Sequence, residues 1–256
     1  MSFNVHELIH SLSLYVWPMI RVSGFVLTLP VISSATTPVK IRLVFSLFLV
    51  IIIAPLHPEW PSLLAFSKVG VLGLFKEFFI GLLLGFTIQL VFQSFIVGGQ
   101  VIAMQAGLGF ATMVDPATKM SVPLISQLYL LLVTLLFLIL DGHLFMIELL
   151  VKSFELQPLG KTTIGLPELW QLIMFSGWIF KGALIVSLPA VISLLVVSLS
   201  FGVMTKAAPQ INIFSIGFPL TVLLGIIIVY VSLSSFFPHA KSILAQGLHI
   251  AQEMIQ

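Results

Sequence analysis

GGQVIAMQAGLGFATMVDPATKMSVP, residues 98–123, lies between two long hydrophobic runs and carries only two ionised side chains, Asp115 and Lys119. Gly98, Gly99, Gly107 and Gly109, with Pro116 and Pro123, argue against one unbroken helix across it. Yet the stretch is apolar, with Met104, Leu108, Phe110, Met113 and Met120. A solvated loop is usually polar, and this one is not. Irregular apolar backbone between membrane helices must be sheltered by protein or line a cavity, because bare peptide groups cannot face lipid. The stretch therefore reads as a re-entrant segment or plug.

The remainder of the chain fixes its class. Of 256 residues, 59% are hydrophobic and 8% charged, and mean hydropathy is +1.20. A soluble domain carries about 25% charged residues, so this is an all-α, polytopic, membrane-class protein. A net charge of +2 is too small to attract nucleic acid or an acidic partner. With no cysteine, disulfides and thiolate metal sites are excluded. The N-terminus MSFNVHELIH lacks a basic signal region, so the first hydrophobic run is expected to be retained.

Six apolar runs stand out, at about 8–32, 41–56, 69–97, 122–140, 170–204 and 212–237. All are expected to be helical. A span needs roughly 20 residues; 41–56 falls short, and 170–204 would reach roughly 50 Å as one helix, so Pro189 is expected to kink or divide it. The linkers are short: a polar one with Pro38 at 33–40, an interfacial turn around Trp60 at 57–68, and a tight turn at 205–210. Residues 152–169 are the most soluble-looking. From His239 the tail is amphipathic, with Ile243, Leu244, Leu248, Ala251 and Ile255 near one face. It suits either a headgroup surface or a docking partner. Four basic residues on one side of the runs against five on the other do not orient the chain.

Few residues offer chemistry. Arg21, Lys181 and the pair Lys76–Glu77 fall inside apolar runs. A charge at the bilayer centre costs at least about 2.5–3.5 kcal/mol. An ion or proton path is one reading. A buried structural pair is another, and snorkelling a third, which suits Lys76 and Lys181. Asp141-Gly142-His143 interrupts a run as either an acid–base pair or a helix break in which Gly142 ends a helix and His143 satisfies a carbonyl. His6-Glu7-Leu8-Ile9-His10 matches HExxH literally but lacks an evident third ligand, and reads as a polar helix start. Asp115-Pro116 has the form of an N-cap followed by proline at the first helical position. Gly81 and Gly85 make a GxxxG that permits close helix approach, though glycine is common in membrane helices anyway. Phosphate-loop, nucleophile-elbow and dinucleotide patterns are absent, and neither a metal nor a cofactor is expected.

Three blocks in order, 98–123, Asp141-Gly142-His143 and APQINIFSIGFPLTVLLGI at 208–226, closely resemble the FliR family of export-gate proteins, whose injectisome relatives are called SctT. The chain departs from the family pattern at Asp141, where Asn is expected in many relatives. The resemblance implies a helical export-gate assembly with FliP and FliQ, forming the entrance channel for unfolded flagellar export substrates. It further implies a bacterial inner-membrane location in the flagellar basal body, and FlhB wrapped around the closed gate. The pore plug would be Gly107, Leu108, Gly109, Phe110, Met113, Asp115 and Pro116. Residues 1–168 would be a FliP-like part containing the plug loop 98–123, and 169–238 a FliQ-like hairpin, followed by an amphipathic helix at 239–256. The expected partners are these proteins and membrane lipid, without nucleic acid and without enzymatic activity. The competing readings are a secondary transporter or ion channel subunit, and a metalloprotease resting on His6 and His10 alone.

Overall fold

The computed structural model describes residues 5–33, 37–56, 68–109, 112–114, 121–158, 166–207 and 213–255; within these, the side chains of 5–13, 68–69, 112–114, 121, 166–169 and 213–216 lie outside the description. The described residues form eight helices: α1 (Val5–Thr28), α2 (Val39–Ile53), α3 (Lys68–Gln105), α4 (Leu124–Ile139), α5 (Gly142–Leu156), α6 (Leu166–Ser176), α7 (Trp178–Ala207) and α8 (Ile213–Glu253). A single 3₁₀ turn, Ala54–Leu56, follows α2. Among the described residues the fold is all-α save for one short ribbon, in which β1 (Thr112–Val114) pairs with β2 (Ser121–Pro123). Among the described residues four helical stretches are long and apolar enough to cross a membrane, or five if α4 and α5 count as one broken span.

Several boundaries differ from the sequence reading, each for a physical reason. Helix α3 does not stop before Gly98 but runs on to Gln105. Gly98 and Gly99 sit inside it because other backbones press there: a Cβ on Gly99 would lie 2.6 Å from the Cα of Ser126, and one on Gly98 3.2 Å from the carbonyl oxygen of Ala183. The fifth run divides at Gly177, not at Pro189. The Gly177 carbonyl accepts the first amides of α7, from Phe180 (3.2 Å) and Lys181 (3.4 Å). Pro189 stays within α7, where it removes one ladder bond without ending the helix. The amphipathic tail is not a separate helix but the continuation of α8 through Pro238. A helix not among the six runs, α5, was hidden because His143, Glu148 and Lys152 dilute its apolar pattern. Lys152 and Glu148 form an exposed i,i+4 ion pair there, at 2.6 Å.

The contacts divide the chain into two compact units. The first comprises residues 1–89, 141–176 and 247–256. Its core is the crossing of α1 and the first half of α3. A side chain on Gly81 would collide with the backbone of Arg21, one on Gly85 with Phe25 and Thr28, and one on Gly24 with the Phe78 carbonyl. The GxxxG thus serves close approach. Trp17, Phe25, Leu84 and Ile88 fill the space beside it. The end of the chain also packs here: Ala251, Met254 and Ile255 are buried, and Sδ of Met254 lies 3.1 Å from the Thr87 hydroxyl oxygen, whose proton goes to the Leu83 carbonyl at 2.9 Å. Much of the tail's apolar face is therefore covered within its own chain.

The second unit comprises residues 90–140 and 177–246. Its centre is aromatic. Phe236 of α8 lies 4.7 Å from Tyr129 and 5.8 Å from Phe95, ring centroid to centroid, and Phe92 meets Phe137 edge-on at 5.5 Å. Phe236 is 2% exposed and joins three helices. Phe236→Ala is expected to destabilise the chain by ~3–5 kcal/mol, whereas Phe180→Ala, at an exposed position, changes little. Thermal midpoints of the full chain purified from membranes together with whatever it assembles with measure both; similar shifts for the two would contradict the assignment of this core.

Candidate functional site

Helix α3 ends in a Schellman motif. Gly107 takes a left-handed backbone (φ +73°). Its amide donates to the Met104 carbonyl at 3.2 Å, and the Leu108 amide donates to Ala103 at 2.9 Å. The carbonyls of Ala103 and Met104, in the last turn of the helix, are thereby satisfied. Beyond Gly109 the chain forms the ribbon, with Thr112 opposite Pro123, Met113 opposite Val122 and Val114 opposite Ser121. Pro123, with φ −59° and ψ 144°, then starts α4. The stretch thus leaves one long helix, makes an antiparallel hairpin and returns to another.

The base of this excursion is tightly held. Ala106 is fully buried, and a Cβ on Gly225 of α8 would lie 2.8 Å from the Cβ of Ala106. A Cβ on Gly107 would find Phe218 and Val222 at ordinary contact distances, 3.6 and 3.7 Å. Space is therefore not what demands glycine at 107; the positive φ is. Of the expected plug residues, Gly107, Leu108 and Gly109 are half-buried at this base. Met113 is placed by its backbone in β1, while Phe110, Asp115 and Pro116 lie outside the described residues, as does the helix start expected at Asp115.

The scattered charges are not gathered into a path. Arg21, fully buried, is bound to Glu77: Nε donates to Oε2 at 2.8 Å, and Nη2 reaches the same oxygen. This is the structural pair, and it accounts for both residues. Lys76 is exposed, as snorkelling requires. Lys181 is also exposed and lies over the Trp178 ring, 4.4 Å from its centroid. Asp141 is exposed and stands between α4 and α5 in the left-handed region, φ 55° and ψ 24°. Asp141, rather than Gly142, makes the helix break; aspartate is among the few non-glycine residues that visit this conformation. Gly142 instead opens α5, and Asp141 accepts the Phe145 amide at 3.0 Å. Nδ1 of His143 has no hydrogen-bond partner among the described residues, so this nitrogen satisfies no carbonyl there.

Two further candidates concern metal and solute binding. His6, Glu7 and His10 fall in the first turns of α1, and their side chains lie outside the described residues. Among the described residues no group of three His, Asp or Glu is placed to hold a metal. A half-open groove of about 230 Å³ between α7 and α8 is lined by Pro189, Ser193, Ile227, Ile228, Val231, Ser232, Ser234 and Ser235. None of its lining residues is ionisable, and Ser193, Ser232 and Ser234 already donate to carbonyls of their own helices. It supplies no counter-charge for a coupled ion.

Sequence reasoning missed what lies opposite Gly107 and Arg21. The positions of Phe218 and Val222, and the carbonyls that Arg21 touches, depend on tertiary packing and leave no local signal.

The description "Bacterial export proteins, family 1" matches residues 12–247. The chain is 32% identical over 244 residues to the "Flagellar biosynthetic protein FliR" of Escherichia coli (strain K12), covering 95% of this chain and 93% of that protein. It is 30% identical over 255 residues to the protein of the same name from Pectobacterium carotovorum subsp. carotovorum, covering 100% of this chain and 97% of the relative. The corresponding protein of Bacillus subtilis (strain 168) is 26% identical over 240 residues, 92% of each chain.

At the hinge, Gly107→Val should destabilise by about 1–2 kcal/mol, because a β-branched residue is forced left-handed, and Gly107→Asn by less. Thermal midpoints of the full chain, purified from membranes with whatever it assembles with, should fall in the order wild type, Asn, Val. Equal midpoints would mean that the backbone at 107 stores no such preference.

Proposed function

Because the chain belongs to the bacterial export proteins, family 1, and is a membrane component of the flagellar export apparatus, we propose that it is a non-enzymatic part of the export gate whose 107–116 segment closes the pore. In this reading it assembles with FliP and FliQ in the bacterial inner membrane at the flagellar basal body. Together they surround the entrance channel for unfolded export substrates, and FlhB lies against the closed gate. Residues 1–168 act as the FliP-like part, 169–238 as the FliQ-like hairpin, and 239–256 as an amphipathic helical segment continuous with α8.

The observation that carries this reading is the hairpin mounted on a left-handed glycine at the end of a 38-residue helix. A rigid post carries a short apolar ribbon whose own hydrogen bonds are few. Such an element can seal a passage and yield to a polypeptide, provided the post stays fixed. Met and Phe suit the seal, since soft apolar side chains close on themselves and adapt to varied substrates. The exposed surface supports assembly. In the apolar windows of the stretches 170–207 and 217–253 only 22% and 17% of residues are buried, against 67% for 70–105. So much apolar surface requires lipid or neighbouring subunits. A small-solute transporter would need a polar midplane site, and the described residues gather no charges into one.

Co-purification tests the assembly: the tagged full chain should bring down FliP- and FliQ-like proteins from membranes and be monodisperse only with them. Deletion of residues 107–113 should leave the complex intact and make it leaky. Phe110→Ala should do so partially, since burying a side chain of this class contributes ~1.5–3 kcal/mol. Ion conductance at matched complex levels is the measurement. An intact complex with unchanged conductance would show that the segment is not the plug, and failure to assemble would show it to be ordinary core.

A further inference from the structure

Arg21 does more than neutralise Glu77. Its Nη1 donates to the Ser153 carbonyl at 2.6 Å and lies 3.1 Å from the Ser153 hydroxyl, and Nη2 donates to the Gln157 carbonyl at 2.8 Å. Its Cζ stands 4.4 Å from the Phe154 ring centroid. Ser153, Phe154 and Gln157 form the last turn of α5 and its C-terminal boundary. The carbonyls of a last helical turn lack intrahelical donors and carry the negative end of the helix dipole. The Ser153 carbonyl has the Gln157 amide at 3.0 Å as well as Arg21. For the Gln157 carbonyl, the guanidinium is a donor delivered from a helix 136 residues away in sequence.

We propose that Arg21 is a cap in trans for the C-terminus of α5. In this role the guanidinium fixes the point at which the chain leaves that helix, and Glu77 orients it. The fork geometry explains why arginine is used: one planar group serves a carboxylate through Nε and Nη2 and two carbonyls through its Nη atoms. It also gives the site a direction. A carboxylate at position 21 would face two carbonyl oxygens and the negative end of α5, whatever cation stood at position 77. The inference concerns one unit of the chain and holds regardless of what the chain assembles with.

The test compares variants that separate pairing from capping. Arg21→Glu with Glu77→Arg keeps the ion pair but removes the donors from α5. Arg21→Met with Glu77→Leu removes pair and donors without leaving a lone buried charge. Arg21→Lys keeps the pair and a cation but loses the fork. Hydrogen exchange of amides 150–157 is followed in the full chain purified with its partners, with amides 90–105 as the control for global destabilisation. Capping predicts exchange in the order wild type, Lys variant, neutral pair, swapped pair, the last at least about tenfold faster than wild type. A mere ion pair predicts that the swapped chain behaves like wild type and better than the neutral one, which would overturn the proposal. If neither double variant is recovered from membranes, the Lys variant decides: faster exchange confined to 150–157 supports the cap, and wild-type exchange overturns it.

Discussion

Every peptide group in so apolar a chain needs a partner inside the protein, and this constraint governs where the helices stop. Within a helix the ladder supplies the partner. At each break the chain needs a local device, and the devices differ. At Gly107 a left-handed glycine turns two amides back onto α3. At Asp141 a left-handed aspartate lets one helix end and the next begin with the Asp141 carbonyl already occupied by Phe145. At Gly177 a carbonyl receives two amides of α7. At the end of α5 the boundary residue Gln157 is not left-handed (φ −124°), and a buried arginine from α1 donates to its carbonyl and to that of Ser153. The buried charge and the helix end are each costly alone, and together they satisfy one another.

This explains which features were legible in the sequence. Composition gave the helical membrane class because it needs no knowledge of packing. The apolar runs located most helices, since 3.6-residue ladders are the default where backbone is dry. The breaks were harder. Proline at 189 looked like one, but a helix tolerates a single lost bond when neighbours pack around it, whereas Gly177 combines freedom with a carbonyl placed for capping. Gly98 and Gly99 looked like loop residues; the same lack of a side chain serves close packing against Ser126 and Ala183. Glycine alone does not distinguish a turn from a tight crossing. Only its neighbours in space do, and those are far away in sequence.

The candidate site was legible to the same degree. Its place between two runs and its apolar character could be read directly, and Gly107 does stand where the helix ends. The pairing of Arg21 with Glu77 rather than with another of the intramembrane charges could not be read. It depends on Gly81 admitting the backbone of Arg21 close against α3, four residues after Glu77. The crossing sets the reach of the side chain, and the ion pair follows from the crossing. The carbonyls of Ser153 and Gln157 carry no sequence identity at all, because every residue has one.

The ribbon after Gly107 has three residues in each strand. A two-stranded hairpin is marginally stable at best by itself, so this is the least self-sufficient element among the described residues. It is joined to one of the most buried, since Ile102, Ala103 and Ala106 at the end of α3 are all fully enclosed. Low local stability next to a fixed support confines opening to the segment beyond the support. A helix in the same place would have to break its ladder or move as a rod, disturbing the packing of Gly98 and Gly99. The hairpin needs to lose only a few cross-strand bonds, and the left-handed turn at Gly107 separates those bonds from the ladder of α3. Under the proposed function, that separation would let the segment give way without loosening the helices that carry it.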